Sequence, residues 1–300
     1  MKTISFLLLC VVTLAACKQQ KNENKVEETR TSGNLTMLVD ESFGPVVDDQ
    51  IVIFNLDYPN AKIKTVLGNE NKILPTFLND SVRVAILSRK LTPEEEKRYT
   101  SRGIKVNASR FAIDGIALIT NADNIDTTIN VNEIIDIFKG KISNKSLVFD
   151  NAYSSTIRYF KDLAQVKDLP EKGVYTQSSN NDVIKYIAEN KNFIGVVGLN
   201  WLSEDNEEMA TYLPKVKIIG VKNIKGKKGD DQFYKPLQTN LINGLYPFYR
   251  NIYILDCEGR DGLGTGFANW LMGDRGQLIV LKSGLAPNKL IPREISLRSK

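Results

Sequence analysis

Three short polar runs in this sequence suit anion binding: Asp40-Glu41-Ser42, Ser88-Arg89 and Ser154-Ser155-Thr156. Each follows an apolar run that reads as a strand and precedes a pattern that reads as a helix. The first N–H groups of a helix lack partners within it and carry a partial positive charge. The hydroxyls of Ser42, Ser88, Ser154, Ser155 and Thr156 add donors. Several such termini meeting at one cleft would cage an anion, although any single one reads first as a plain N-cap. Two arginines sharpen the reading. Arg89 directly follows an apolar strand and Arg158 lies two residues beyond Thr156. A guanidinium fork matches a tetrahedral oxyanion. The ordinary alternatives are a solvent-facing Arg158 and an Arg89 spent on an inter-lobe ion pair. Asp40, Glu41 and Asp114 are the candidate carboxylates. A buried carboxylate accepts the proton of hydrogen phosphate and repels sulfate, which has none. Each could equally serve as a cap or a hinge salt bridge.

The framework follows from periodicity. Apolar or alternating runs predict strands over 35–39, 61–67, 82–87, 110–120, 147–149, 193–197, 216–221 and 252–255. Helical spacing predicts a helix with Val47, Ile51 and Phe54 inward, and further helices over 72–78, 131–138, 154–164, 182–189, 267–272 and 276–282. Thr92-Pro93-Glu94-Glu95 is a helix start, with Thr92 capping and Glu95 completing a capping box. Gly262 to Gly266 fits neither a dinucleotide nor a nucleotide-phosphate loop and reads as a tight helix entry. Strands alternating with helices predict an α/β fold with mostly parallel sheets. Two lobes are expected, with the strands near 109–120 and 251–255 crossing between them.

Composition limits the chemistry. The chain has 300 residues and no histidine. That excludes a Ser-His-Asp or Cys-His triad and any histidine metal site. A net charge of +5 is modest for this length. The Lys222 to Lys228 run has no interleaved aromatics, so it reads as a solvated loop and not a nucleic-acid patch. No cofactor and no metal are implied.

The N-terminus carries Met1-Lys2 and then an uncharged, mostly apolar run from Ile4 to Ala16. That is too short for a spanning helix and suits a signal peptide over 1–16. The run ends Leu14-Ala15-Ala16-Cys17, which resembles a bacterial lipobox with Cys17 as the acylated residue. The alternative is an ordinary secretory signal cleaved near Ala16. Residues 17–33 are charged and poor in aliphatics, and are expected to form a flexible tether. Cys257 is then the only thiol in the body, so no internal disulfide is available. It is expected to be a half-buried structural thiol.

Taken in order, several segments resemble the phosphate-binding PstS-type lipoproteins of ABC transporters, within the type II periplasmic-binding-protein fold. They are Val84-Ala85-Ile86-Leu87-Ser88-Arg89-Lys90-Leu91, Ala112 to Asn121, and Ile137-Phe138-Lys139-Gly140-Lys141-Ile142. Ser154-Ser155-Thr156, Ile194-Gly195-Val196-Val197-Gly198 and Gly276-Gln277-Leu278-Ile279 with Lys282-Ser283-Gly284 continue the series. The resemblance covers essentially all of the chain from Asn34. It implies two α/β lobes, 34–115 with 250–300 and 116–249, closing on a buried oxyanion. It likens Ser154-Ser155-Thr156 to the family's Ser-Gly-Thr phosphate loop, Ser88 to a strand-ending serine, and Ser42 to the first ligand hydroxyl. The chain departs at Ser155, which replaces the loop glycine, and at Asp150, where an arginine is frequent. It also departs at Arg89, where some members have aspartate, and at Gly68-Asn69-Glu70-Asn71, in place of a glycine-serine-rich loop.

The resulting expectation is a monomeric, membrane-tethered, extracytoplasmic solute-binding lipoprotein. It would take inorganic phosphate through Ser42, Ser88, Arg89, Ser154, Ser155, Thr156, Arg158 and Asp114 and hand it to an ABC permease, without catalysis. The alternatives are a binder or sensor for another tetrahedral oxyanion, a hydrolase using Ser88 or Ser154, and an adhesive lipoprotein.

Overall fold

The computed structural model describes residues 27–289 except 142 and 203–206. The expected signal peptide, Cys17 and most of the tether lie outside the described residues.

The chain opens with a parallel β-α-β-α-β unit. Strand β1 (Gly33–Asp40) pairs with β2 (Ala61–Gly68) on one side and β3 (Val84–Leu87) on the other. Helix α1 (Gly44–Asp57) connects β1 to β2, and α2 (Glu70–Leu78) connects β2 to β3. Pro45 sits in the first turn of α1, where no N–H is needed. Val46, Val47, Ile51 and Phe54 of α1 are buried. Helix α3 (Pro93–Thr100) begins with the expected reciprocal capping box between Thr92 and Glu95.

The long strand β4 (Asn107–Asn121) follows and is shared between two parts of the sheet. Its residues 107–115 pair with β11 (Tyr249–Asp256), which pairs in turn with β3. Its residues 116–121 pair with β8 (Phe193–Gly198) and β9 (Val216–Ile218). Beyond β8 lie β6 (Ser146–Phe149) and β7 (Val174–Thr176), both parallel. The order is β2-β1-β3-β11-β4-β8-β6-β7. Parallel pairing holds at both ends, and the two strands that link the ends pair antiparallel.

Helices α4 (Val131–Phe138), α5 (Ser155–Ala164) and α6 (Asn180–Glu189) serve the second part. Phe138, Phe149, Phe160 and Phe248 interlock there, largely edge to face. Helices α9 (Leu263–Met272) and α10 (Asp274–Lys282) return to the first part, where Phe54 meets Phe267 and Trp270 edge to face. Short helices α7 (Glu207–Ala210) and α8 (Gln238–Ile242) fill the intervening chain, and β12 (Ala286–Pro287) adds to β4. One continuous core runs through both parts. A smaller cluster with Ile73, Phe77, Tyr99 and Cys257 covers the other face of β1, β3 and β11. Sheets covered on both faces explain the near-continuous apolar runs of β3 and β4.

Two details differ from expectation. The strand predicted over 216–221 is two strands. Residues 216–218 pair with β4, whereas β10 (Gly220–Lys222) pairs with β5 (Thr128–Asn130) in a separate two-stranded sheet. Gly220 permits the switch, because a Cβ there would lie 2.9 Å from that of Phe233. Residues 27–32, expected within the tether, lie against the body. Arg30 pairs with Asp261 at 2.6 Å, and Thr29 bridges to Ser32. Charges that read as solvating in the sequence found partners 231 residues away. No helix of the described residues is long and apolar enough to cross a membrane.

Candidate functional site

The loop after β1, the middle of β4, the β6–α5 turn, the start of β11 and the turn after β8 meet at one buried place. Asp40 ends β1, and its Oδ1 accepts from the Ser42 N–H at 3.0 Å. Ser42 is fully buried, and its Oγ lies 3.3 Å from Ser155 Oγ at the start of α5. Hydroxyls from opposite parts of the sheet thus face each other. The Ser42 carbonyl accepts from Asn200 Nδ2 at 3.2 Å and Trp201 Nε1 at 3.0 Å.

Arg250, on β11, is the cation at this centre. Its Nε donates to Asp114 Oδ2 at 2.9 Å, and its Nη1 donates to Ser155 Oγ at 2.9 Å and Thr156 Oγ1 at 3.1 Å. The guanidinium lies 4.6 Å over the Phe43 ring, a cation–π contact in a dry site. Asp114 Oδ1 accepts from the Leu199 N–H at 3.2 Å. Ser154 caps α5, accepting from the Ile157 N–H at 3.1 Å. Helix α5 therefore starts inside the cluster, and its first N–H groups and positive end face the same place. Asp150, four residues before Ser154, is 1% exposed, and its Oδ2 takes a bond from Asn180 Nδ2 at 3.4 Å.

Burial raises Asp40 and Asp114, with Arg250 pulling each the other way. It pushes Asp150 up to about 6, against the pull of Ser154. Three carboxylates and one guanidinium share the volume, so the site resists gaining further uncompensated negative charge.

A second network lies beside it. Glu70 is 3% exposed and sits between two arginines. Arg158 Nη2 donates to Glu70 Oε2 at 3.0 Å and to Ser88 Oγ at 2.7 Å. Arg89 Nε donates to Glu70 Oε1 at 2.6 Å, and its fork grips Glu95 at 2.7 and 2.9 Å. Glu41 accepts a bond from Asn151 nearby. These contacts join α2 and β3 to α5 across the junction of the two parts.

Of the residues singled out from sequence, Ser42, Asp114, Ser154, Ser155 and Thr156 come together with the guanidinium of Arg250. Ser88 and Arg158 belong to the adjoining ion-pair network. Arg89 is committed to Glu95 and Glu70, an ion pair within its own part of the chain and not the inter-lobe pair weighed as the alternative. The sequence reading missed Arg250, Asn180, Asn200 and Trp201. It noted Asp150 and Glu70 only within departures from the family pattern. Arg250 had one legible signal: it stands immediately before the strand expected to cross between lobes, where a side chain is bound to enter the cleft.

Ser155 and Thr156 hydroxyls already accept from Arg250, and the Ser155 hydroxyl also meets the Ser42 hydroxyl and the Asp40 carboxyl. The arrangement suits holding a small oxyanion. A guanidinium partner cannot take a proton from Ser155. Among the described residues, no three acidic, cysteine or histidine side chains are placed to hold a metal ion.

Residues 24–275 match a sequence model of the PBP superfamily domain. The phosphate-binding protein PstS of Pseudomonas aeruginosa is 22% identical over 284 residues, covering 85% of this chain and 83% of that one. The phosphate-binding protein PstS of Borreliella burgdorferi is 25% identical over 304 residues, covering 95% and 98%. In structure, a putative phosphate ABC transporter substrate-binding protein with bound phosphate from Clostridium perfringens superposes with a TM-score of 0.68 at 21% identity. It covers 86% of this chain and 100% of that one.

Proposed function

The chain belongs to the PBP superfamily, and from that premise we propose that it is a substrate-binding protein for inorganic phosphate serving an ABC transporter. The observation that carries the reading is the cage built from both parts of the sheet. Ser42 comes from one side, Ser155, Thr156 and the α5 N-terminus from the other, and Arg250 from the strand between. The phosphate-binding names of the matched relatives support the choice of anion. Residues 34–115 with 250–300 would form one lobe and 116–249 the other, closing over the ligand. The buried carboxylates would accept a ligand proton, which phosphate has and sulfate lacks. Arg158, with Ser88 and Glu70, would hold the lobes together at the rim, and Arg89 would brace Glu70 from within its own lobe. The apolar N-terminus and Cys17 support a lipid-anchored, extracytoplasmic monomer that delivers phosphate to a permease without chemical turnover.

Isothermal titration of the full chain, stripped of endogenous ligand, tests this. Phosphate is expected to bind at one per chain, with no heat from sulfate. Equal binding of sulfate would overturn the carboxylate-acceptor role and indicate a general oxyanion binder. No heat from either anion would overturn the assignment.

A further inference from the structure

The Lys222 to Lys228 run lies far from the site in chemistry, and the fold gives it a definite shape. Val221 and Tyr234 exchange both backbone bonds, at 2.7 and 2.9 Å, so residues 222–233 form a closed excursion from the end of β10. The excursion is braced from within. The Asn223 N–H donates to the Gly229 carbonyl at 3.0 Å, and Asn223 Nδ2 donates to the Lys228 carbonyl at 2.7 Å. The Gly226 N–H donates to Asp230 Oδ2 at 2.6 Å. Gly229, at φ +84°, abuts Leu245, whose carbonyl oxygen would lie 2.0 Å from a Cβ there. A segment that reads as solvated chain is thus held against the body in one conformation.

It displays charge of one sign. Residues 222–235 hold five lysines and two aspartates. Both aspartates are turned to internal bonds, Asp230 with Gly226 and Asp231 with the Tyr234 hydroxyl at 2.9 Å. Lys225, Lys227, Lys228 and Lys235 are exposed, and none of them meets a carboxylate among the described residues. Other lysines of the second part are paired, Lys141 with Asp136, Lys145 with Asp126 and Lys191 with Asp123. Like charges held side by side repel one another, and a partner of opposite sign relieves that. The run itself has no aromatic, but the returning chain supplies one. Lys222 Nζ stands 6.0 Å from the centre of the Phe233 ring, which is 43% exposed, and Leu237, just ahead of α8, is 59% exposed. Ammonium groups beside exposed apolar side chains suit a broad anionic interface. The apolar groups enter the headgroup layer and the lysines stay at the phosphates.

We propose that the loop over residues 222–235 is a membrane-docking surface whose partner is a bilayer containing anionic phospholipid. This rests on the tethered reading above. Fully extended, residues 17–26 span at most about 36 Å, so a body anchored at Cys17 is kept close to the bilayer, and the loop decides which side of it rests there. The attraction acts over about 8–10 Å at physiological salt, which makes the contact reversible and salt-sensitive.

The test is co-sedimentation of the full chain with vesicles of phosphatidylcholine alone and of phosphatidylcholine with phosphatidylglycerol. The unaltered chain is compared with Lys225→Gln/Lys227→Gln/Lys228→Gln and with a control of equal charge, Lys97→Gln/Lys105→Gln/Lys172→Gln, at exposed sites elsewhere. The N-terminus is the same in all three, so its contribution cancels. The unaltered and control chains should prefer the anionic vesicles about a hundredfold at low salt, and the loop variant should lose roughly fivefold per lysine. High salt should erase the preference. Phosphate titration should be unchanged in the loop variant, which also shows that it is folded. A loop variant that matches the control on anionic vesicles would overturn this inference and leave the phosphate reading standing. A chain that holds to neutral vesicles without any loop-dependent preference keeps the tether and loses the docking surface. Loop-dependent binding to single-stranded DNA tighter than to the anionic vesicles would assign the surface to a soluble polyanion and overturn the lipid assignment.

Discussion

Arg250 is the residue on which the site depends. Its fork serves Asp114, Ser155 and Thr156 at once. Lysine would keep the charge and lose the planar geometry. Arg250→Lys is expected to weaken phosphate binding by roughly two orders of magnitude, read by titration, since charge-assisted bonds are worth about 1.5–3 kcal/mol each. Arg250→Ala also strands Asp114 and should destabilise the fold by about 3–5 kcal/mol in denaturant melts. Asp150 gives a pH prediction of opposite character. Its carboxyl is raised to about 6 in the fold from 3.8, so the folded chain holds the proton more tightly than the unfolded one. The ligand-free protein therefore loses stability as pH rises from about 4 through about 6, up to about 3 kcal/mol from this residue. Asp150→Asn should flatten that fall. A melt whose midpoint still drops equally across this range would remove Asp150 as the cause.

At the scale of elements, α5 shows how local rules build a site. Ser154 caps the helix through the Ile157 N–H, and the next two residues point their hydroxyls at Arg250. Ser154→Ala should cost about 1 kcal/mol of stability through the lost cap. It should also weaken anion binding by disordering the first turn, which a melt and a titration read separately. Caps of this kind are legible from sequence, because Ser, Thr and Asp followed by an apolar period have a local physical cause. The capping box at Thr92 and the helix at Ser154 were readable for that reason. The partner of Arg89 was not. Glu95 is close in sequence, but Glu70 arrives from another helix, and only the folded chain brings a 19-residue separation to 2.6 Å. The same limit hid Arg250, whose contacts with Ser155 and Asp114 span 95 and 136 residues. The break at Gly220 escaped because a short, mostly apolar run does not reveal which sheet each half joins.

For the whole molecule, alternation of strands and helices made the α/β class and the crossing strands readable, since hydrophobic period is a local signal repeated along the chain. The network of Glu70 with Arg89 and Arg158 is what the period cannot show, and it bears on closure. Arg158 is about one-third exposed and Glu70 is buried. Their pair and the Ser88 bond are expected to favour the joined arrangement by about 1–2 kcal/mol, a factor of about 5–30 in population. Arg158→Met should therefore enlarge the radius of gyration of the ligand-free chain in small-angle scattering. An unchanged radius would mean that the core alone holds the two parts together.

Strand β11 pairs with β3 on one flank and with the first part of β4 on the other, and Arg250 sits near its start. If the two parts swing, β4 and β11 are the axle, because the chain continues through them from one part to the other. Points on an axle barely travel. Arg158 and Glu70, out at the jaws, would sweep long arcs, while Arg250 would stay almost still. On the proposed reading, the charge that attracts the anion would be mounted at the fulcrum, where opening the jaws would not withdraw it. Capture would then begin at a fixed post, and swinging the jaws would add the hydroxyls of Ser42 and Ser155 around a guest already moored.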